Sequence, residues 1–242
     1  AWDGPVWGGV PTVSVEYFHP ASSGHRPLTR AKVLYDAEAL YVIFRVEDRY
    51  VRATREDLNS SVCNDACVEF FFEPKAGAGY FNFEMNCVGT LHASCVEDPT
   101  RTPEGLGKAT KLLKRQAAMM DVYHSVPGVV FPECANSMIW VVEYSIPLAL
   151  VEEFAGPEAA WFVAGFLSLI AVRQPGADRL VVLPEPRGRQ VRLAPTRIGI
   201  VVEAQRRAGD GDLAQHRVVD LQQQMLARDL VPRVDLVDRP DL

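Results

Sequence analysis

Asn82, Glu84 and Asn86 occupy every second position of the segment YFNFEMN. In an extended chain that spacing places three planar hydrogen-bonding side chains on one face. Such a row suits sugar hydroxyls, each of which both donates and accepts, and its plain alternative is a solvated outer face. Two carboxyl groups could also cut a glycosidic bond, and Asp65 and Glu69 invite that reading. Four residues along a strand separate them by about 13 Å at about 3.3 Å per residue. Hydrolytic carboxyl pairs stand about 5 to 9.5 Å apart, so this pair is not catalytic. Asp48, Asn64, Asp65 and Glu69 supply hard oxygen atoms around turns, as calcium ligands or as turn caps.

Aromatic side chains bear on the same chemistry, because the C–H groups of a pyranose ring pack on a ring face. The candidates are Trp2, Trp7, Tyr17, Tyr80, Trp140 and Trp161, with Trp7, Tyr80 and Trp161 taken as the platform set beside Asn82, Glu84 and Asn86. Trp140 alternates with Val142 and Tyr144 in MIWVVEYSIP and reads as core. Cys63 and Cys67 have half-site spacing for zinc, but Cys87, Cys95 and Cys134 supply no matching second pair.

The elements that must hold these residues are strands. From Thr29 to Thr90, runs rich in Val, Ile, Phe and Tyr are cut by short polar or glycine turns. Period-two apolar patterning between turn signals predicts an all-β, antiparallel sandwich. Leu40, Val42, Phe44 and Val46 face one way, with Tyr41, Ile43 and Arg45 opposite, which marks a central strand. Phe81, Phe83, Met85 and Cys87 form a core row behind Asn82, Glu84 and Asn86. Val96 to Val130 is weakly patterned and reads as loop with one short helix.

A chain of 242 residues with net charge −6 has the length for a substantial core and lacks the basic face expected of a nucleic-acid binder. It holds no apolar run long enough to span a membrane as a helix. No signal-peptide pattern opens it, and the odd number of cysteines, 5, predicts free thiols in a reducing, cytoplasmic setting. The sequence leaves the oligomeric state open.

Four motifs in order resemble carbohydrate-binding module family 9-like proteins, a DOMON-like β-sandwich group of jelly-roll type. They are L-Y-D-x-x-x-L-Y-V-x-F-x-V-x-D from Leu34, N-D-x-C-V-E-F-F-F-x-P from Asn64, Y-F-N-F-E-x-N-x-x-G-T from Tyr80 and E-Y-S-I-P-L from Glu143. The resemblance covers roughly residues 2 to 154. It implies non-catalytic binding of a sugar or oligosaccharide in carbohydrate catabolism, with no obligatory cofactor and calcium as the candidate ion at Asp48, Asn64, Asp65 and Glu69. Rival expectations are a haem-binding DOMON-like redox domain through Met85 and His92, and a glycoside hydrolase-associated enzyme with carboxylates brought together from different strands.

Composition changes near Trp161. Residues 167 to 242 contain no Phe, Tyr, Trp, Cys, Lys or Asn, yet carry 12 arginines. The expected division is a sandwich over 1–160 and an atypical segment over 161–242. Gly165 to Ser168 can be encoded so that a one-base shift reads Ala-Phe-Tyr-Arg, similar to a strand pattern of the family. The same shift across Gln190 to Arg197 permits a second family-like motif. The favoured reading is an out-of-frame segment, against closing strands followed by a tail.

Overall fold

The computed structural model describes residues 1–15, 24–75, 77–103, 105–157 and the backbone of 198–203. Trp161, Tyr17 and all of the 161–242 segment except 198–203 lie outside the described residues.

The strands are β1 (Val13–Val15), β2 (Leu28–Tyr35), β3 (Ala39–Asp48), β4 (Val51–Ala53), β5 (Cys67–Phe72), β6 (Tyr80–Asn86), β7 (Leu91–Thr102), β8 (Gly105–Lys111), β9 (Val122–His124), β10 (Val130–Cys134), β11 (Met138–Pro147) and β12 (Ile198–Glu203). One antiparallel sheet runs β1-β2-β3-β11-β9, a second runs β12-β5-β6-β7-β8, and β10 pairs with β4. The fold is therefore the expected antiparallel β-sandwich. Two short helices, α1 (Lys114–Ala117) and α2 (Leu148–Ala155), accompany the strands. No described helix is long and apolar enough to cross a membrane.

Alternation decides which face each strand buries between the sheets. The first sheet contributes Val33, Val42, Phe44, Trp140, Val142 and Tyr144 to a core shared with Val68, Phe70, Phe72, Phe81, Phe83 and Met85 of the second. The rings of Phe72 and Phe81 stack at 5.2 Å, and those of Phe81 and Phe83 at 6.0 Å. Trp140 and the row Phe81, Phe83, Met85 and Cys87 are core as the alternation predicts. Ile43 is buried too, on the outer face of the first sheet, where its register partners are Lys32 and Glu143. The N-terminal residues close over it. Trp7 Nε1 donates to Glu143 Oε1 at 2.9 Å, and Lys32 Nζ donates to the Trp7 carbonyl at 2.9 Å and the Trp2 carbonyl at 3.1 Å.

The segment expected to be loop between Val96 and Val130 contributes the end of β7, all of β8, α1 and β9. Its Pro, Gly and Lys content obscured strands whose outer stretch is mostly exposed. None of the five cysteines forms a disulfide.

Candidate site on the outer face of the second sheet

The register of β5, β6 and β7 builds a polar array on the side of the second sheet away from the core. Glu69 pairs with Glu84, and Glu84 with His92, giving one row across three strands. Phe71 pairs with Asn82, Asn82 with Ser94, and Ser94 with Lys111, giving the next. Tyr80 and Val96 continue the face beyond it. Directly opposed side chains on one face have Cβ atoms about 4.5–5.5 Å apart, so these rows are contact distances. Two turns fix the strand that anchors the array. Gly79 has φ +81° and would drive a Cβ to 2.1 Å from the Val96 carbonyl oxygen, so only glycine lets β6 start beside β7. Gly89 has φ +82° in the N-x-x-G-T turn that closes β6 onto β7.

Burial is high: Glu69 is 0%, Asn82 5% and Glu84 7% exposed. Asn82 Nδ2 donates to Glu84 Oε1 at 2.7 Å, while Asn82 Oδ1 is buried with no hydrogen-bond partner. Burial pushes the Glu84 carboxyl above its ordinary range, opposed by nearby His92, the Asn82 hydrogen bond and Lys111. Tyr80 is pushed up to about 12, first by burial and then by the field of Glu69. Its ring meets Phe71 edge-on at 6.1 Å, forming an aromatic flank beside the polar rows. His92 Nδ1 lies 3.2 Å from the Ser60 carbonyl, a contact in which the protonated nitrogen donates. The array is rich in acceptors and bordered by apolar rings, which is the chemistry for holding a ligand that donates hydrogen bonds.

Asn82, Glu84 and Tyr80 share this face, but other residues of the expected set stand elsewhere. Asn86 is fully buried, and its amide is consumed by structure: Nδ2 donates to the Arg55 carbonyl at 2.9 Å and to Asp65 Oδ2 at 3.0 Å. Its Oδ1 accepts from the backbone N–H of Thr90 at 2.8 Å and of Val88 at 3.3 Å. Asn86 ties the turn and offers a ligand nothing. Trp7 is 2% exposed on the outer face of the first sheet, across the core from Asn82. It cannot serve as a platform for this array. Trp161 lies outside the described residues.

The oxygen ligands do not gather either. Asp65 is wholly buried and accepts from the Thr54 N–H at 3.0 Å, Thr54 Oγ1 at 3.3 Å, the Arg55 N–H at 2.9 Å and Asn86 Nδ2. Asp48 Oδ1 binds His25 Nε2 at 2.6 Å, and its Oδ2 accepts from Trp140 Nε1 at 3.3 Å. Asn64 is exposed in a short turn of helix, and Glu69 belongs to the array. Among the described residues no three His, Cys, Asp or Glu side chains group to hold a metal ion. The four residues therefore do not fit a calcium site. A haem held by Met85 and His92 fails on geometry as well. Met85 packs in the core and pairs with Leu91, which turns the adjacent His92 to the opposite face.

Sequence reasoning missed Phe71, His92, Ser94 and Lys111 as members of this array, and it placed Glu69 among metal ligands. The signal was present as three matching period-two pairs, Glu69-x-Phe71, Asn82-x-Glu84 and His92-x-Ser94. Only the register, which no single strand carries, aligns them.

Residues 9–121, which include every residue of this array, match the model of carbohydrate-binding family 9. Over this stretch the chain is similar to carbohydrate-binding family 9. Its fold is similar to that of a protein from Bacteroides uniformis described as a candidate carbohydrate-binding protein, with 22% identity, TM-score 0.53 and 60% of this chain aligned to 64% of that one. A family 9 module from Caldicellulosiruptor kristjanssonii in complex with glucose aligns at 14% identity and TM-score 0.37, over 60% of this chain and 61% of that one. The same kind of module in complex with cellotriose aligns at 14% and 0.36, over 60% and 59%. The chain thus spans under two thirds of the length of each. None of the curated proteins matches it.

Proposed function

We propose that this family 9-like protein binds carbohydrate non-catalytically on the outer face of the β5–β8 sheet. The observation that carries the reading is Asn82: its amide nitrogen is engaged by Glu84, while its carbonyl oxygen is buried without a partner on a face flanked by Phe71 and Tyr80. Buried polar atoms are almost always paired, and a ligand hydroxyl would complete this one. Glu69, Glu84 and Ser94 supply further groups in adjoining register positions. The match of residues 9–121 to a carbohydrate-binding family supports the same reading.

Calorimetric titration of the chain with glucose and with gluco-, manno- and xylo-oligosaccharides tests it. Binding is expected for at least one series. Asn82→Ala is expected to weaken it by about 0.5–1.5 kcal/mol, the worth of one neutral hydrogen bond. Asn86→Asp, at a residue committed to the turn, acts through stability instead. Absence of binding across the panel, or an Asn82→Ala variant that binds as the parent does, would overturn the assignment.

A further inference from the structure

Charge is graded across the outer face of the second sheet. The carboxyl groups of Glu69 and Glu84 stand on β5 and β6, the imidazole of His92 on β7 and the ammonium of Lys111 on β8. The stretch from Lys108 to Arg115, KATKLLKR, holds four cations and no acid. Two of them are already engaged, Lys108 with Glu97 and Arg115 with Glu153. Lys111 is exposed and acts on Glu84 through space, without an ion pair among the described residues.

Register places Lys111 on the same face as Asn82. Lys111 pairs with Ser94, and Ser94 with Asn82, so the three form one row from β6 to β8. Alternation is fixed at the outer end by Leu112, which is buried with its N–H on the Ala93 carbonyl at 2.9 Å. Its neighbours Lys111 and Leu113 are turned outward, Leu113 being 57% exposed. Along the row the chemistry changes from a buried carbonyl oxygen without a partner, through a nearly buried hydroxyl, to an exposed ammonium. Two strand spacings, about 9–10 Å, separate its ends. A sugar ring with a hydroxyl at one edge and an anion at the other matches that order of groups.

Resting on the carbohydrate reading above, we propose that the face selects uronic acids, a ring hydroxyl donating to the Asn82 carbonyl while the C6 carboxylate pairs with Lys111. The Ser94 hydroxyl lies between them and meets the ring. A neutral hexose carries a hydroxymethyl group at C6 and leaves Lys111 to water. The reverse orientation would set the carboxylate beside Glu84, so the charge gradient also fixes which way round the ring lies. From the β8 end, Glu84 is two strand spacings away and Glu69 three, about 14 Å. Both separations exceed the screening length of about 8 Å at physiological salt.

Titration of the full chain at about pH 7, where a uronate is ionised, compares D-glucose with D-glucuronate, D-galactose with D-galacturonate and D-mannose with D-mannuronate. In at least one pair the acid is expected to bind about threefold to fivefold tighter, the upper range for an exposed ion pair. Lys111→Gln should bring that ratio to about one, and Lys111→Glu should invert it. The position is exposed, and melting curves of both variants report that they fold. Neutral sugars binding as tightly as their acids in every pair, or a preference that survives both variants, overturns uronate selection. So does a chain that binds the oligosaccharide panel and none of the three acids. In each of these cases carbohydrate binding stands on the neutral titrations. A chain that binds no sugar of either set takes both readings down together.

Discussion

At the scale of single residues, the outer face of the second sheet combines groups with opposite demands on folding. Burial lifts the folded pKa of Glu84 above the unfolded value of about 4.3. Its contribution to stability is intact below that unfolded value and is lost as pH rises through the folded pKa. Glu84→Gln should therefore gain on the parent in melting temperature as pH increases, and melting curves across the acid-to-neutral range measure that difference. A constant offset would show that Glu84 carries its charge in the folded protein. Asp65 matters through its hydrogen bonds, as a buried acceptor that four donors require. Asp65→Ala strands the N–H groups of Thr54 and Arg55 together with Asn86 Nδ2. It should cost about 3 kcal/mol or more, read from urea midpoints, with Asp65→Asn milder. Residue types and alternation made Asn82, Glu84 and Tyr80 legible as one face before any coordinates. They could not show that Asn86 is absorbed by its own turn, because that depends on Arg55 and Asp65, which lie 31 and 21 residues away in the chain.

At the scale of elements, strand faces were legible and strand neighbours were not. The core row from Phe81 to Cys87 followed from period two alone. The pairing of Glu69 with Glu84 and of Glu84 with His92 needed the order β5-β6-β7 and its register. Trp7 shows the same limit from the other direction. An aromatic near the start of a chain has no periodicity to assign it, and here it seals the outer face of the first sheet over Lys32 and Glu143. Trp7→Phe keeps the ring and removes the donor to Glu143. It should lower stability by about 1 kcal/mol and leave sugar affinity unchanged, since the core separates it from Asn82. A loss of affinity in that variant, measured by calorimetry beside its melting curve, would put the two faces in one site.

At the scale of the whole molecule, β12 adds to the second sheet beside β5, with Val201 opposite Glu69. The remainder of the compositionally distinct segment stands outside the described residues, and its reading frame is tested in the gene. Sequencing across the codons for Gly156 to Phe166 is expected to find a one-base difference that restores aromatic residues after Trp161. An unchanged frame would make the arginine-rich segment native. The first sheet carries a different consequence, in the order of synthesis. β3 is central, yet one of its two neighbours is β11, whose Met138 pairs with Asp48. Closing so long a loop is slow, and until the ribosome releases β11 the nascent chain presents β3 with a bare hydrogen-bonding edge. A translation product stopped before Met138 should therefore aggregate, and one extended past Pro147 should stay dispersed, an outcome that sedimentation of arrested chains would read directly.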